Sequence, residues 1–190
     1  MNIYQDLINY QPYNVQEESD RKTIINFLDR YDDAFYRDNQ LAHMTASAWV
    51  VNKNRDKVLM AYHRIYDSWS WLGGHCDGEE DCLKVAMKEV KEEAGVSSVL
   101  LLSENIFSLE VLSVDSHIRR GEYVPTHLHL NVTYLLQADE NEELFIKADE
   151  NSGVAWFSLD EAVKSSSEKW FRDNIYSKLN EKLRKLYEDN

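Results

Sequence analysis

The sequence is poor in the residues that would indicate a secreted or membrane-spanning protein. It contains two cysteines and two prolines among 190 residues. Cys76 and Cys82 are six positions apart, which fits neither a paired zinc-ligand motif nor a disulfide framework. We therefore expect free thiols in a reducing compartment. No segment approaches the roughly 20 apolar residues of a membrane span, and the first residues carry neither a basic start nor an apolar run. These absences predict a cytoplasmic protein.

Basic residues are also scarce. The chain has 21 lysines and arginines against 34 aspartates and glutamates, a net charge of -13. A surface of this sign repels polyanions, so we expect neither nucleic acid nor an anionic membrane as a partner. An anionic small substrate would need a local positive charge, most simply a metal ion.

The spacing of apolar residues predicts helices and strands in alternation. Ile24, Leu28, Tyr31 and Phe35 recur at intervals of three and four, which predicts an amphipathic helix of about four turns within residues 19–37. The polar residues 52–56 separate two β-rich runs, as in a hairpin. Further strands are expected within 105–118, 127–138 and 153–159, with a loop at 119–126 and a long C-terminal helix within 167–190.

These elements predict an α/β fold with a mixed sheet. We expect an N-terminal helical extension over residues 1–40 and a core domain with its C-terminal helix over 41–190. The extension either packs on the core or pairs with a copy of itself, so a homodimer stays open.

The chemistry concentrates in residues 73–96. On a helical wheel Glu89, Glu92 and Glu93 share one arc, and the neighbouring arc is apolar, with Leu83, Ala86, Met87, Val90 and Ala94. Asp81 suits the N-cap and Gly95 the left-handed position after the helix. Carboxylates at i, i+3 and i+4 can converge on one point, and Mg²⁺ prefers such oxygen donors. The alternative interpretation is that the three glutamates bind no metal and form an acidic helix face exposed to solvent.

The surrounding residues resemble the signature box of the Nudix hydrolases at every fixed position but one. That family cleaves nucleoside diphosphates linked to another moiety, and related diphosphates. The resemblance is tight over 24 residues and looser over about 44–162. The matching positions are Gly74, Glu80, Glu89, Val90, Glu92, Glu93, Gly95 and Val96.

The resemblance implies a Nudix-like α/β/α sandwich with a mixed sheet, and it assigns roles to residues. Glu89, Glu92 and Glu93 would hold Mg²⁺ or Mn²⁺, the Gly73 carbonyl would add a ligand, and Glu80 would lie at the edge of the site. Water would attack a phosphorus of a diphosphate bridge in line with the leaving group.

The general base that the resemblance implies is one of two carboxylates. Family members use either a box glutamate or an acidic residue in the loop before the last core strand. We favour Glu92, with Glu150 in that loop as the contender and Asp149 as its neighbour.

Lys88 is the departure from the family pattern, which has arginine at this position. The planar fork of arginine can bind two carboxylate oxygens and orient a catalytic glutamate, whereas a lysine ammonium cannot. Lys88 then acts either as a weaker support for the metal site or only as an i, i+4 partner of Glu92.

Substrate recognition is less well determined. Trp69, with Tyr66 and Trp71, either stacks on a base or packs in the core. His127 and His129 alternate along a predicted strand, so they share a face that binds metal or phosphate or is simply buried. Arg119 and Arg120 either contact a substrate phosphate or are solvated. We assign no role to His75 or Cys76.

We therefore predict a metal-dependent diphosphohydrolase acting on a nucleoside diphosphate derivative or related diphosphate. Two alternatives stay open. One is an isomerase like those that interconvert isopentenyl and dimethylallyl diphosphate, which the intact box disfavours. The other is a non-catalytic nucleotide sensor on the same fold, which Lys88 makes conceivable.

Overall fold

A computed structural model describes residues 2–64, 67–119, 121–146 and 151–188. The chain forms two compact units. The first contains residues 1–47, 73–87 and 103–134, and the second contains 48–72, 88–102 and 135–190.

The helical segments of the described residues lie mainly at the two ends of the chain. In order they are α1 (Ile3–Asn9), α2 (Val15–Leu28), α3 (Cys82–Ala94), α4 (Leu159–Ser165), α5 (Lys169–Phe171), a π-helical segment (Arg172–Tyr176) and α6 (Ser177–Glu188).

The strands fill the middle of the chain. They are β1 (Ala42–Val51), β2 (Lys57–His63), β3 (Ser68–Ser70), β4 (Leu72–His75), β5 (Val99–Leu101), β6 (Ser108–Val114), β7 (His117–Arg119), β8 (Glu122–Val124), β9 (His127–Ala138) and β10 (Asn151–Ser158).

In the first unit, β1 lies between β4 and β9, and β6 pairs with β9 in antiparallel register, Ser108 opposite Thr133. Helix α2 packs on β6, and β7 and β8 form a separate ribbon. Every residue of β1 is buried. Its alternate residues include Thr45 and Ser47, whose hydroxyls donate to the Asn131 side-chain oxygen at 3.0 and 2.8 Å. One face of β1 is therefore buried but polar, with its hydroxyls hydrogen-bonded.

In the second unit, β10 runs antiparallel to β2, and β2 pairs with the end of β1 through Val50 opposite Leu59. β3 adds to β2, and β5 pairs with the end of β9. The predicted hairpin is confirmed. The Asn52 side-chain oxygen closes its turn by accepting from the backbone N–H groups of Asp56 and Lys57, each at 3.1 Å.

The N-terminal helix predicted within residues 19–37 both begins and ends earlier in the chain than expected. Helix α2 begins at Val15, capped by the Asn14 side chain, and ends at Leu28. Residues 29–40 form turns instead. Aspartate and asparagine side chains compete with the helix for backbone hydrogen bonds, and this segment contains four aspartates and one asparagine. The apolar spacing continues past Leu28, but the helix does not.

The predicted long C-terminal helix is present, interrupted by the π-helical segment. Ile175, Leu179 and Leu183 are buried, as the spacing predicts, whereas Trp170 and Leu186 are 47% and 44% exposed. The apolar stripe of the C-terminal helix is therefore buried only in its middle.

In the part of the chain that the structure describes, no helix combines the length and apolarity needed to cross a bilayer.

Candidate active site

Helix α3 carries the acidic segment, and local side chains define both of its ends. The Asp81 carboxylate accepts from the Lys84 N–H at 3.1 Å, as an N-cap does. Gly95 has φ of 71° and donates its N–H to the Lys91 carbonyl at 2.9 Å. A Cβ at Gly95 would lie 2.7 Å from Cβ of Phe145, so glycine is required for space as well as conformation. Both predicted ends of the helix are confirmed.

The buried side of α3 differs from the predicted arc. Ala86, Val90 and Ala94 are buried as expected, but Leu83 and Met87 are only half-buried and Val85 is buried instead. The elements packed against a helix decide which residues it buries. A helical wheel therefore locates such an arc only to within about one residue.

The three glutamates of α3 lie at different depths. The side chain of Glu92 is 42% exposed and that of Glu89 is 12% exposed, while Glu93 is 4% exposed. A carboxylate at the depth of Glu93 costs free energy unless hydrogen bonds or a cation compensate its charge. The donor set is entirely carboxylate oxygen, which is the kind of ligand that hard divalent cations prefer.

Lys88 contacts two of these carboxylates. Its ammonium lies 3.6 Å from Oε1 of Glu89 and 3.4 Å from Oε1 of Glu92, and its side chain is 62% exposed. The exposed i, i+4 pair with Glu92 contributes about 0.3–0.5 kcal/mol. The ammonium supplies charge beside the glutamates, but it makes single contacts rather than the paired contacts of a guanidinium.

Gly73 and Glu80 lie in the first unit. A Cβ at Gly73 would stand 2.5 Å from the Ala46 carbonyl oxygen and 2.6 Å from Cα of Ser47, so β4 can approach β1 this closely only with glycine. Glu80 is exposed and lines a surface pocket with residues of the N-terminal segment, including Tyr4, Leu28 and Phe35.

Trp69 lies on β3 in the second unit and is half-buried. Its ring stands edge-on to Phe157 at 4.8 Å and to Tyr62 at 5.3 Å between centroids. Trp71 is buried and makes edge contacts with Phe171 and Tyr176. Aromatic neighbours thus surround both rings. A role for Trp69 in substrate binding stays a prediction.

His127 and His129 lie at the start of β9, in a cluster that the sequence did not reveal. Nε2 of His129 is 3.3 Å from Nε2 of His127 and 3.2 Å from Nε2 of His75. The ring of His43, on β1, stands 5.0 Å from the rings of both His127 and His129. His43 and His75 were not among the predicted site residues, because nothing in their local sequence indicates that three strands bring them together.

Several predicted site residues lie outside the described part of the chain. These are Glu150 with its neighbour Asp149, and Arg120 and Tyr66. Arg119 ends β7, where its backbone pairs with Glu122.

Comparison with protein-family models decides the family. The NUDIX domain model matches residues 41–179. The chain belongs to the Nudix family. Nudix enzymes cleave diphosphate bonds in nucleoside diphosphate derivatives and generally use a divalent metal. The predicted family is thereby confirmed.

Solved Nudix structures support the fold. An Ap4A hydrolase from C. elegans is 18% identical, with a TM-score of 0.56 over 77% of this chain and 98% of that one. A NUDIX-family hydrolase from Clostridium perfringens is 24% identical, with a TM-score of 0.51 over 76% and 97%. The dihydroneopterin triphosphate pyrophosphohydrolase of E. coli is 15% identical, with a TM-score of 0.52 over 77% and 96%. The predicted α/β fold with a mixed sheet is confirmed. No curated protein sequence matches this Nudix chain.

Proposed function

We propose that this Nudix chain is a divalent-metal-dependent hydrolase that cleaves a diphosphate linkage in a nucleoside diphosphate derivative or related organic diphosphate. The observation that supports this most is the graded depth of the box glutamates on one capped helix. Glu92 reaches solvent, Glu89 is nearly covered and Glu93 is buried. Together these carboxylates would offer hard oxygen donors to an ion that keeps part of its coordination for water and substrate phosphate.

Glu89, Glu92 and Glu93 would hold the ion, and Mg²⁺ or Mn²⁺ is the expected occupant. A bound divalent cation would neutralise phosphate oxygens and lower the pKa of a coordinated water. The exposed carboxylate of Glu92 would accept the proton of an attacking water, with Glu150 as the other candidate base. The Lys88 ammonium balances charge at Glu89 and Glu92 and limits where these side chains lie.

The remaining site assignments rest on the Nudix resemblance. On this ground we propose that the Gly73 carbonyl is a metal ligand and that Glu80 lies at the edge of the site. We propose likewise that the substrate is contacted by Arg119, Arg120 and Trp69. The domain boundary near residue 40, cytoplasmic location and homodimerisation are also proposals.

The first test is a product analysis by chromatography, with and without Mg²⁺ or Mn²⁺. The substrates are ADP-ribose, dinucleoside polyphosphates, nucleotide sugars, NADH and the nucleoside triphosphates. We expect metal-dependent cleavage of one class, and in H₂¹⁸O we expect the label in a phosphate group of a product. Binding without product formation would instead indicate a sensor, and rearrangement without uptake of label would indicate an isomerase.

Two variants test the assignment of residues. Glu92→Gln and Glu93→Gln should keep the wild-type circular dichroism but lose activity by on the order of 100-fold or more, because each loses a ligand or base. Glu181→Gln, at an exposed glutamate of α6, is the matched control and should retain activity. Wild-type rates in both box variants would refute the metal-site assignment.

A further inference from the structure

The cluster of imidazoles in the first unit has the composition of a second kind of metal site. His43, His75 and His129 each offer one ring nitrogen, and these three atoms all lie within 4.8 Å of one another. They come from β1, from the end of β4 and from the start of β9, so the sheet brings them together. His63, on β2, lies in the other unit.

Backbone contacts orient two of the clustered rings. Nδ1 of His43 is 3.2 Å from the Asn39 carbonyl oxygen, and Nδ1 of His127 is 2.9 Å from the Pro125 carbonyl oxygen. A carbonyl can only accept, so Nδ1 carries the proton in each ring and the neutral ring has its lone pair at Nε2. A backbone carbonyl behind the ring is also the usual support of a histidine that binds a metal.

His43 provides independent evidence for a missing partner. The residue is 3% exposed, and among the described residues its buried Nε2 has no hydrogen-bond partner. A buried lone pair without a partner costs free energy comparable to a lost hydrogen bond. His43 is one of the three histidines whose ring nitrogens lie within 4.8 Å of one another.

Hydrogen bonds among the rings do not account for the geometry. Nε2 of His129 lies 3.2 Å from Nε2 of His75 and 3.3 Å from Nε2 of His127. One ring nitrogen carries either one proton or one lone pair, so it can form only one linear hydrogen bond of this kind. Nitrogens bound tetrahedrally at 2.0–2.1 Å from a zinc ion lie about 3.3 Å apart. The 3.2 Å between the Nε2 atoms of His75 and His129 therefore suits two ligands that share a cation.

We infer that His43, His75 and His129 bind a divalent transition metal of the zinc class, separate from the carboxylate site on α3. Imidazole suits zinc, whereas Mg²⁺ prefers oxygen. Three histidines leave a fourth position for water or an anion. His75 and His129 are half-buried, so an ion has a route of entry. This inference does not depend on hydrolase activity.

The test is metal binding by the full chain after treatment with a chelator. Titration with Zn²⁺ in the presence of excess Mg²⁺ should show one zinc ion per chain. Co²⁺ should give the strong visible absorption of a four-coordinate, nitrogen-bound ion. The inference would be overturned, without any variant, if the wild-type chain failed to bind zinc. It would also be overturned if bound Co²⁺ gave only the weak absorption typical of six oxygen ligands.

Variants then locate the ion. His43→Gln and His129→Gln should weaken zinc binding by about 100-fold or more. His63→Gln is the matched control, and both it and Glu92→Gln should bind zinc as the wild type does. The opposite result would be zinc binding that is unchanged in His43→Gln and His129→Gln and lost in Glu92→Gln. That result would show that the ion occupies the carboxylate site, and it would refute the histidine site.

Discussion

The buried carboxylate of Glu17 connects α2 to other parts of the first unit through hydrogen bonds. Its removal tests how much these hydrogen bonds contribute to the free energy of unfolding. Glu17 is 0% exposed. Its Oε2 accepts from the Tyr10 hydroxyl at 2.6 Å and from the Tyr13 N–H at 2.7 Å, and its Oε1 accepts from the Ser108 hydroxyl at 2.9 Å. The three donors come from the segment after α1 and from β6, so one side chain links three parts of the chain.

The magnitude follows from the burial of these donors. Glu17→Ala leaves the Tyr10 hydroxyl without its 2.6 Å acceptor, at about 1–3 kcal/mol for a buried group, whereas the Ser108 hydroxyl can still donate to the Glu110 carboxylate. The partly buried Tyr13 N–H can gain water, and removal of a buried charge recovers some desolvation energy. We therefore expect a loss of about 2 kcal/mol, a large fraction of the 5–15 kcal/mol typical of domain stability.

The assay is urea denaturation followed by tryptophan fluorescence and circular dichroism. Glu18→Ala is the matched control. Glu18 is the next residue on α2, and its exposed ion pair with Lys22 at 2.7 Å should add little stability. A double-mutant cycle of Glu17→Gln with Tyr10→Phe should give a coupling free energy of about 1 kcal/mol or more. Equal stability of the Glu17→Ala and Glu18→Ala variants would refute the reasoning.

Two further predictions concern packing and pH. Gly73→Ala should destabilise the protein by about 1–3 kcal/mol, because its Cβ would meet β1 backbone atoms at 2.5 and 2.6 Å. Thermal denaturation should show a larger loss of stability than for Gly121→Ala, since at Gly121 φ is 86° but no atom lies within 4 Å of the added Cβ. Equal losses in the two variants would contradict this. Burial raises the pKa of Tyr10 and of Tyr134 above the ordinary value near 10. Their contribution to stability is therefore complete below about pH 10 and is lost as pH rises further, because the unfolded chain ionises first. Alkaline absorbance titration should show at least two of the eleven tyrosines, Tyr10 and Tyr134, ionising only on unfolding, and ionisation of all eleven near pH 10 with the fold intact would contradict this.

Local features were predictable because their causes are local. The ends of α3 depend on the Asp81 side chain and on the conformation of Gly95, both of which can be recognised from residue type and position. The hairpin after β1 depends on the polar residues that begin with Asn52. The box spacing likewise lies within one helix and its flanking loops, and it was enough to predict the family.

The end of α2 was not predictable from periodicity alone. Apolar spacing continues through Tyr31 and Phe35, but the helix stops at Leu28 and Tyr31 is exposed. The choice between one more helical turn and a series of turns depends on the contacts that the segment makes. The Asn39 side chain, for example, donates to Asp33 at 2.8 Å within these turns.

The capped acidic helix and the Nudix box could be recognised without a structure, because each is a property of residue types at fixed short spacing. The depths of the box glutamates, with Glu93 buried and Glu92 exposed, and the approach of His43 and His75 to His129 depend on the folded chain. Burial depends on what packs on a helix. Contacts among residues as far apart as 43, 75 and 129 depend on the order in which strands pair, which no local pattern encodes.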